Sequence, residues 1–166
     1  RGGGLFGSNP LTGSIGVITL NMPRAAYHSK DETEFKQRIR ELMDIARESL
    51  GIKRKILEKY TETDLYPFSK HYLKNIKQRN GSYWDNHFST IGLVGMHEAC
   101  LNLLGKGIGT EQGRDFALRT LEYMRDVLTE YQKESGHLFN LEATPAEGTA
   151  YRLARKDAKN FSDIIS

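Results

Sequence analysis

His87-Phe-Ser-Thr-Ile-Gly-Leu-Val94 runs directly into Gly95-Met-His-Glu-Ala-Cys-Leu-Asn-Leu-Leu104. The short apolar run reads as a strand, Gly95 as a tight turn, and the apolar spacing from Met96 to Leu104 as a helix. The same unit recurs on either side. Upstream, Ser14-Ile-Gly-Val-Ile-Thr-Leu-Asn21 is nearly continuous in apolarity and stops at Pro23, the pattern of a strand buried on both faces of a parallel sheet. Downstream, Leu138 to Ala143 forms a third strand. A helix from Glu147 to about Lys159 follows it, with Tyr151, Leu153, Ala154 and Ala158 on a partial apolar face.

Between the strands the periodicity changes to helical. Ser29 and Glu32 make a capping box, and Phe35, Ile39, Leu42, Ala46 and Leu50 predict a helix over about 30 to 50, closed by Gly51. Residues 52 to 80 mix basic and aromatic side chains around Pro67 and end at Asn80-Gly81, which predicts one or two shorter outer helices. Within them Phe68 to Lys74 has the make-up of a base-stacking surface, although a solvated amphipathic helix accounts for it more simply. After the glycine-rich break 105–109, Thr110 caps a long helix striped by Ala117, Leu121, Met124, Leu128 and Tyr131 and closed at Gly136. The alternation β-α-β-α-β-α specifies an α/β fold with a parallel sheet or barrel.

Composition narrows the function. A chain of 166 residues, 38% of them hydrophobic, supports one core, and a net charge of +3 with 27% charged residues does not mark a nucleic-acid or membrane-surface protein. The single cysteine, Cys100, rules out an internal disulfide and fits a reducing cytoplasm; on its apolar helix it reads as a small buried hydrophobe. No apolar run has the length of a membrane span. His87 and His97 lack partners at ligand spacing, so no metal site is expected. The glycine-rich start, Arg1 to Gly7, reads as a connector.

In parallel α/β architectures ligands sit beyond the carboxyl ends of the strands, which singles out Asn21 to Arg24, Gly95 to Glu98, and Glu142 to Thr149. In the third, small residues and a proline separate strand from helix. Backbone N–H groups around Ala146, Glu147 and Gly148, with the hydroxyls of Thr144 and Thr149, suit a phosphate at a helix N-terminus. The plainer reading is a capped helix start, with Thr144 as the cap and Pro145 in first position. Glu98 opens a helix after a strand, where a carboxylate can act as a base or serve the helix dipole. Ser14 and Asn21 are polar positions on the first strand, and an Asn just before a Met-Pro pair can simply end a strand.

Three stretches, in order, carry a resemblance. Leu11-Thr-Gly-Ser-Ile-Gly-Val-Ile-Thr-Leu-Asn-Met-Pro-Arg24, Phe88-Ser-Thr-Ile-Gly-Leu-Val-Gly-Met-His-Glu-Ala-Cys-Leu-Asn102 and Asn140-Leu-Glu-Ala-Thr-Pro-Ala-Glu-Gly-Thr-Ala-Tyr-Arg-Leu-Ala-Arg155 resemble segments of anaerobic (class III) ribonucleoside-triphosphate reductases, which are glycyl radical enzymes. The resemblance implies that residues 1–166 are a single segment of a ten-stranded α/β catalytic barrel. The finger-loop cysteine would precede Arg1, and the C-terminal glycyl radical loop would follow Ser166. It implies a cytoplasmic enzyme, a homodimer in full length, whose glycyl radical is installed by an iron-sulfur, S-adenosylmethionine-dependent activase. A cysteine thiyl radical then takes the 3′ hydrogen of a ribonucleoside triphosphate, and the 2′ hydroxyl leaves as water. Met96-His-Glu98 resembles the site of the active-site glutamate in the subgroup that draws electrons from thiol proteins. The segment would bind no cofactor itself, supply substrate-binding loops around Ser14, Asn21, Thr144, Ala146, Glu147, Gly148 and Thr149, and be inactive alone. The rival reading is a stand-alone α/β nucleotide- or phosphate-binding module without redox activity. Against it stands the lack of Gly-x-Gly-x-x-Gly after a strand and of a Gly-x-x-x-x-Gly-Lys-Ser/Thr loop.

Overall fold

The computed structural model describes residues 11–166, in which strands and helices alternate along the chain. The glycine-rich start, Arg1 to Gly7, lies outside the described residues. The elements are β1 (Ser14–Asn21), α1 (Met22–Tyr27), α2 (Glu32–Glu62), α3 (Pro67–Asn80), β2 (Phe88–Val94), α4 (Met96–Leu104), α5 (Glu111–Ser135), β3 (Phe139–Ala143) and α6 (Glu147–Asn160). The strands form one parallel sheet in the order β1-β2-β3, with Thr19 opposite Gly92 and Gly92 opposite Glu142. Parallel neighbours that are also consecutive strands, joined by crossovers of one hand, collect their helices on one face of the sheet.

Ile18, Leu20, Ile91, Leu93, Phe139 and Leu141 point to that face and join the core with Phe35, Ile39, Met43 and Leu50 of α2 and Phe116, Met124, Val127 and Tyr131 of α5. The opposite face takes the alternate positions, Val17, Thr19 and Asn21 on β1 and Gly92 on β2. β1 is therefore not buried on both faces as its sequence suggests, because Val17 is 46% exposed. β2, flanked by both neighbours, is buried from Ser89 to Leu93.

The long helix differs most from the sequence reading. α2 passes through Gly51 and runs on to Glu62, so residues 52–62 are not a separate helix and only α3 is. Its N-cap is Asp31, whose side chain accepts from Glu34 N at 2.8 Å, while Ser29 donates to Ala25 O at the end of α1. The buried stripe runs Phe35, Ile39, Met43, Ala46, Leu50, Arg54 and Thr61, with Leu42 on its exposed flank. Arg54 explains the continuation. It is 4% exposed and donates to Trp84 O and His87 O, each at 2.6 Å, and to Ser89 Oγ at 3.1 Å, so the last turns of α2 hold the loop that enters β2. Both terminal nitrogens of this buried guanidinium are thus satisfied, while its Nε is buried without a partner. Thr110 caps α5 as anticipated, accepting from Gly113 N, and Gly136 ends the helix in the left-handed conformation.

Candidate functional site

Two of the three segments singled out after the strands, Asn21 to Arg24 and Gly95 to Glu98, meet at the carboxyl end of the sheet, and α6, which follows the third, packs against them. Between them lies a cleft of about 300 Å³, walled by Asn21 and Pro23, by Val94, Gly95 and Glu98, and by Ala150, Tyr151, Ala154 and Asp157 of α6. Asn21 ends β1 and caps α1, its Oδ1 accepting from Arg24 N at 3.3 Å. Gly95 turns β2 into α4 at φ 77°, which favours glycine. A Cβ there would also overlap the ring of Pro23 and stand 3.5 Å from Glu98 Oε2, so the Glu98 carboxylate lies directly over the turn. α4 and α6 both start without a side-chain cap, leaving their first N–H groups to other acceptors.

Glu98 and Asn21 thus stand in the cleft wall. Thr149, Gly148, Glu147 and Ala146 lie on the first turn of α6 and the residue before it, adjoining Ala150, where the wall begins. Thr144 is not the helix cap; Ala146 occupies that position and Pro145 precedes it. The Thr144 side chain instead folds back across β2, where Thr19 Oγ1 donates to its Oγ1 at 3.2 Å. Gly92 permits this, because a Cβ on Gly92 would overlap that hydroxyl. Ser14 begins β1, seven residues before the cleft, and its hydroxyl is shared among Gly16 O, Phe88 O and Thr90 Oγ1.

A residue that the sequence reading passed over completes the site. Asp157 of α6 is 0% exposed. One of its oxygens accepts from Asn21 Nδ2 at 2.7 Å, and the other accepts from Arg24 Nε at 2.6 Å and from a terminal guanidinium nitrogen of Arg24. A lone acidic residue late in a polar helix carries no sequence signal of burial; its partners lie more than 130 residues away.

Cys100 is fully buried between α4 and α5, 3.5 Å from Gly113 O, and burial pushes its thiol above the usual range. It does not face the cleft, so it does not fit the role of a radical-carrying cysteine. Among the described residues no three His, Cys, Asp or Glu side chains gather as metal ligands, and no helix is long and apolar enough to cross a membrane.

Comparison with known proteins settles the family. The family model for anaerobic ribonucleoside-triphosphate reductase matches residues 1–166. The chain belongs to the anaerobic ribonucleoside-triphosphate reductase family. It is 30% identical to the enzyme of that name from Haemophilus influenzae, over 91% of this chain and 22% of that protein. With the phage T4 enzyme it shares 28% identity, over 91% of this chain and 25% of the relative. Among solved structures it resembles the Thermotoga maritima anaerobic ribonucleotide reductase in complex with dATP and CTP, with a TM-score of 0.78, 28% identity, and coverage of 95% of this chain and 26% of that one. The same reductase with citrate in its active site matches with a TM-score of 0.77 at 28% identity, over 92% of this chain and 28% of that chain. The chain therefore spans about a quarter of the length of the family members it matches. Membership of this family does not favour a stand-alone phosphate-binding module.

Proposed function

We propose that these residues form one wall of the ten-stranded catalytic barrel of an enzyme that reduces ribonucleoside triphosphates to deoxyribonucleoside triphosphates, and that the cleft at the carboxyl end of the sheet receives the substrate. The observation that carries this reading is the cleft at the end of the sheet, where Glu98 stands at the uncapped start of α4 and α6, also uncapped, forms the facing wall from Ala150 onward. Free N–H groups and the positive end of a helix suit a triphosphate. A carboxylate over the turn suits proton transfer at the sugar.

In this reading the amides of Ala146, Glu147, Gly148 and Thr149, with the Thr149 hydroxyl, hold phosphate, and Glu98 accepts the proton of the 3′ hydroxyl. Thr144 positions the turn through Thr19. Ser14 and Asn21 support the site rather than touch the nucleotide, since their polar groups are engaged within the protein. The glycyl radical, installed by an iron-sulfur, S-adenosylmethionine-dependent activase, would generate the cysteine thiyl radical that takes the 3′ hydrogen. The working enzyme is a cytoplasmic homodimer that engages neither nucleic acid nor membrane.

The test is Glu98→Gln in the full-length enzyme. General-base catalysis contributes about 10²- to 10⁴-fold, so turnover falls by that order while the glycyl radical signal in electron paramagnetic resonance stays intact. Unchanged turnover removes Glu98 from the mechanism.

A further inference from the structure

α6 is docked in an unusual way. Its only buried residue is Asp157, and the rest of the helix is exposed or half-exposed. Apolar burial, the ordinary reason a helix stays on a domain, is therefore small here. A carboxylate near the C-terminal end of a helix also opposes the helix dipole, and taking it out of water is costly unless every lone pair is used. Both Asp157 oxygens are used, by Asn21 at the end of β1 and by Arg24 of α1. At its other end the helix is approached by the turn that Thr144 fastens to Thr19. Beyond it, Tyr27 donates to Asp163 at 2.7 Å and Asn102 pairs with the backbone of Ile165, but these contacts are exposed.

We propose that Asp157 is a positioning residue for the substrate: its buried contacts with Asn21 and Arg24 set α6 against the end of the sheet, and so hold the 144–149 turn in register with the cleft and Glu98. The inference rests on the reading of that turn as the phosphate-holding element. Asn21 is the hinge of the arrangement, since one end of its amide caps α1 and the other grips α6. From Glu147 to Asp157 the helix rises about 15 Å, so a small change of tilt at Asp157 displaces the amides that meet the phosphates.

The experiment uses the activated full-length reductase carrying Asp157→Asn and, separately, Asn21→Ser, which keeps a capping oxygen but removes the donor to Asp157. Three quantities are read: the KM of a ribonucleoside triphosphate, kcat, and the inhibition constant of the matching unphosphorylated ribonucleoside. Loss of a charge-assisted contact predicts a KM about tenfold higher for Asp157→Asn and about threefold higher for Asn21→Ser. In both, kcat, glycyl radical yield and the nucleoside constant stay within about twofold. An unchanged KM in both variants overturns the inference. Equal weakening of nucleoside and triphosphate also overturns it, because that marks general distortion. If the unmodified enzyme holds the nucleoside as tightly as the triphosphate, the phosphate reading of the turn fails, and the inference with it. Should Asp157→Asn not fold, Asn21→Ser decides.

Discussion

Gly92→Ala puts a methyl group where the Thr144 hydroxyl lies. The new Cβ would overlap Thr144 Oγ1, stand 3.3 Å from Thr144 Cβ and 3.4 Å from Thr19 Oγ1, and it sits at the centre of the buried strand β2. Thr144 relieves the overlap by rotating, which breaks its hydrogen bond with Thr19 and costs about 0.5–1.5 kcal/mol. Crowding of a closely packed site adds about 1–3 kcal/mol, for a total of about 1.5–4.5 kcal/mol. In a Thr144→Ala background the colliding oxygen is gone, and the same substitution costs about 1–2 kcal/mol less, the coupling energy of neighbours. Urea unfolding followed by the fluorescence of Trp84, the single tryptophan, measures all four corners of the cycle. Equal costs of Gly92→Ala with and without the Thr144 hydroxyl would refute the fold-back of Thr144 over the sheet.

Other outcomes follow from single observations. Gly51 lies inside α2, and a methyl group added there would meet nothing within 4 Å, so Gly51→Ala raises stability by about 0.5–1 kcal/mol in the same unfolding assay. Burial, and then the charge of Arg54, holds the His87 imidazole below its ordinary range; burial does the same at His137, again with Arg54 nearby. The unfolded chain takes up protons near pH ~6.5 while these folded histidines resist them, so stability falls as pH drops below that value. His87→Gln makes the unfolding free energy less steep between about pH 7 and 5, and an unaltered slope excludes His87 as a source.

The sequence shows the strands through their apolar runs and α5 through Thr110, its stripe and Gly136, because those signals are local. It misplaces the end of α2 at Gly51, since the reason to continue is Arg54 binding carbonyls about 30 residues further on. Leu42 and Met43 are both apolar and both fit the helical spacing, and only packing chooses Met43 for the core. Glu98's place in the cleft wall is legible from its position after a strand, whereas the 144–149 turn, read from the same rule, stands beside the wall rather than in it. Asp157 is not legible, because a carboxylate on a polar helix has the appearance of a solvated one until its partners at the end of β1 are known.

The central claim is that the end of the sheet beside Glu98 holds a ribonucleoside triphosphate. A crystal structure of the full-length reductase with that substrate tests it most directly. Phosphate oxygens are expected within hydrogen-bond distance of the amides of Ala146 to Thr149, with the ribose beside the Glu98 carboxylate. A substrate bound in the catalytic barrel with its phosphates away from the start of α6 would contradict the claim.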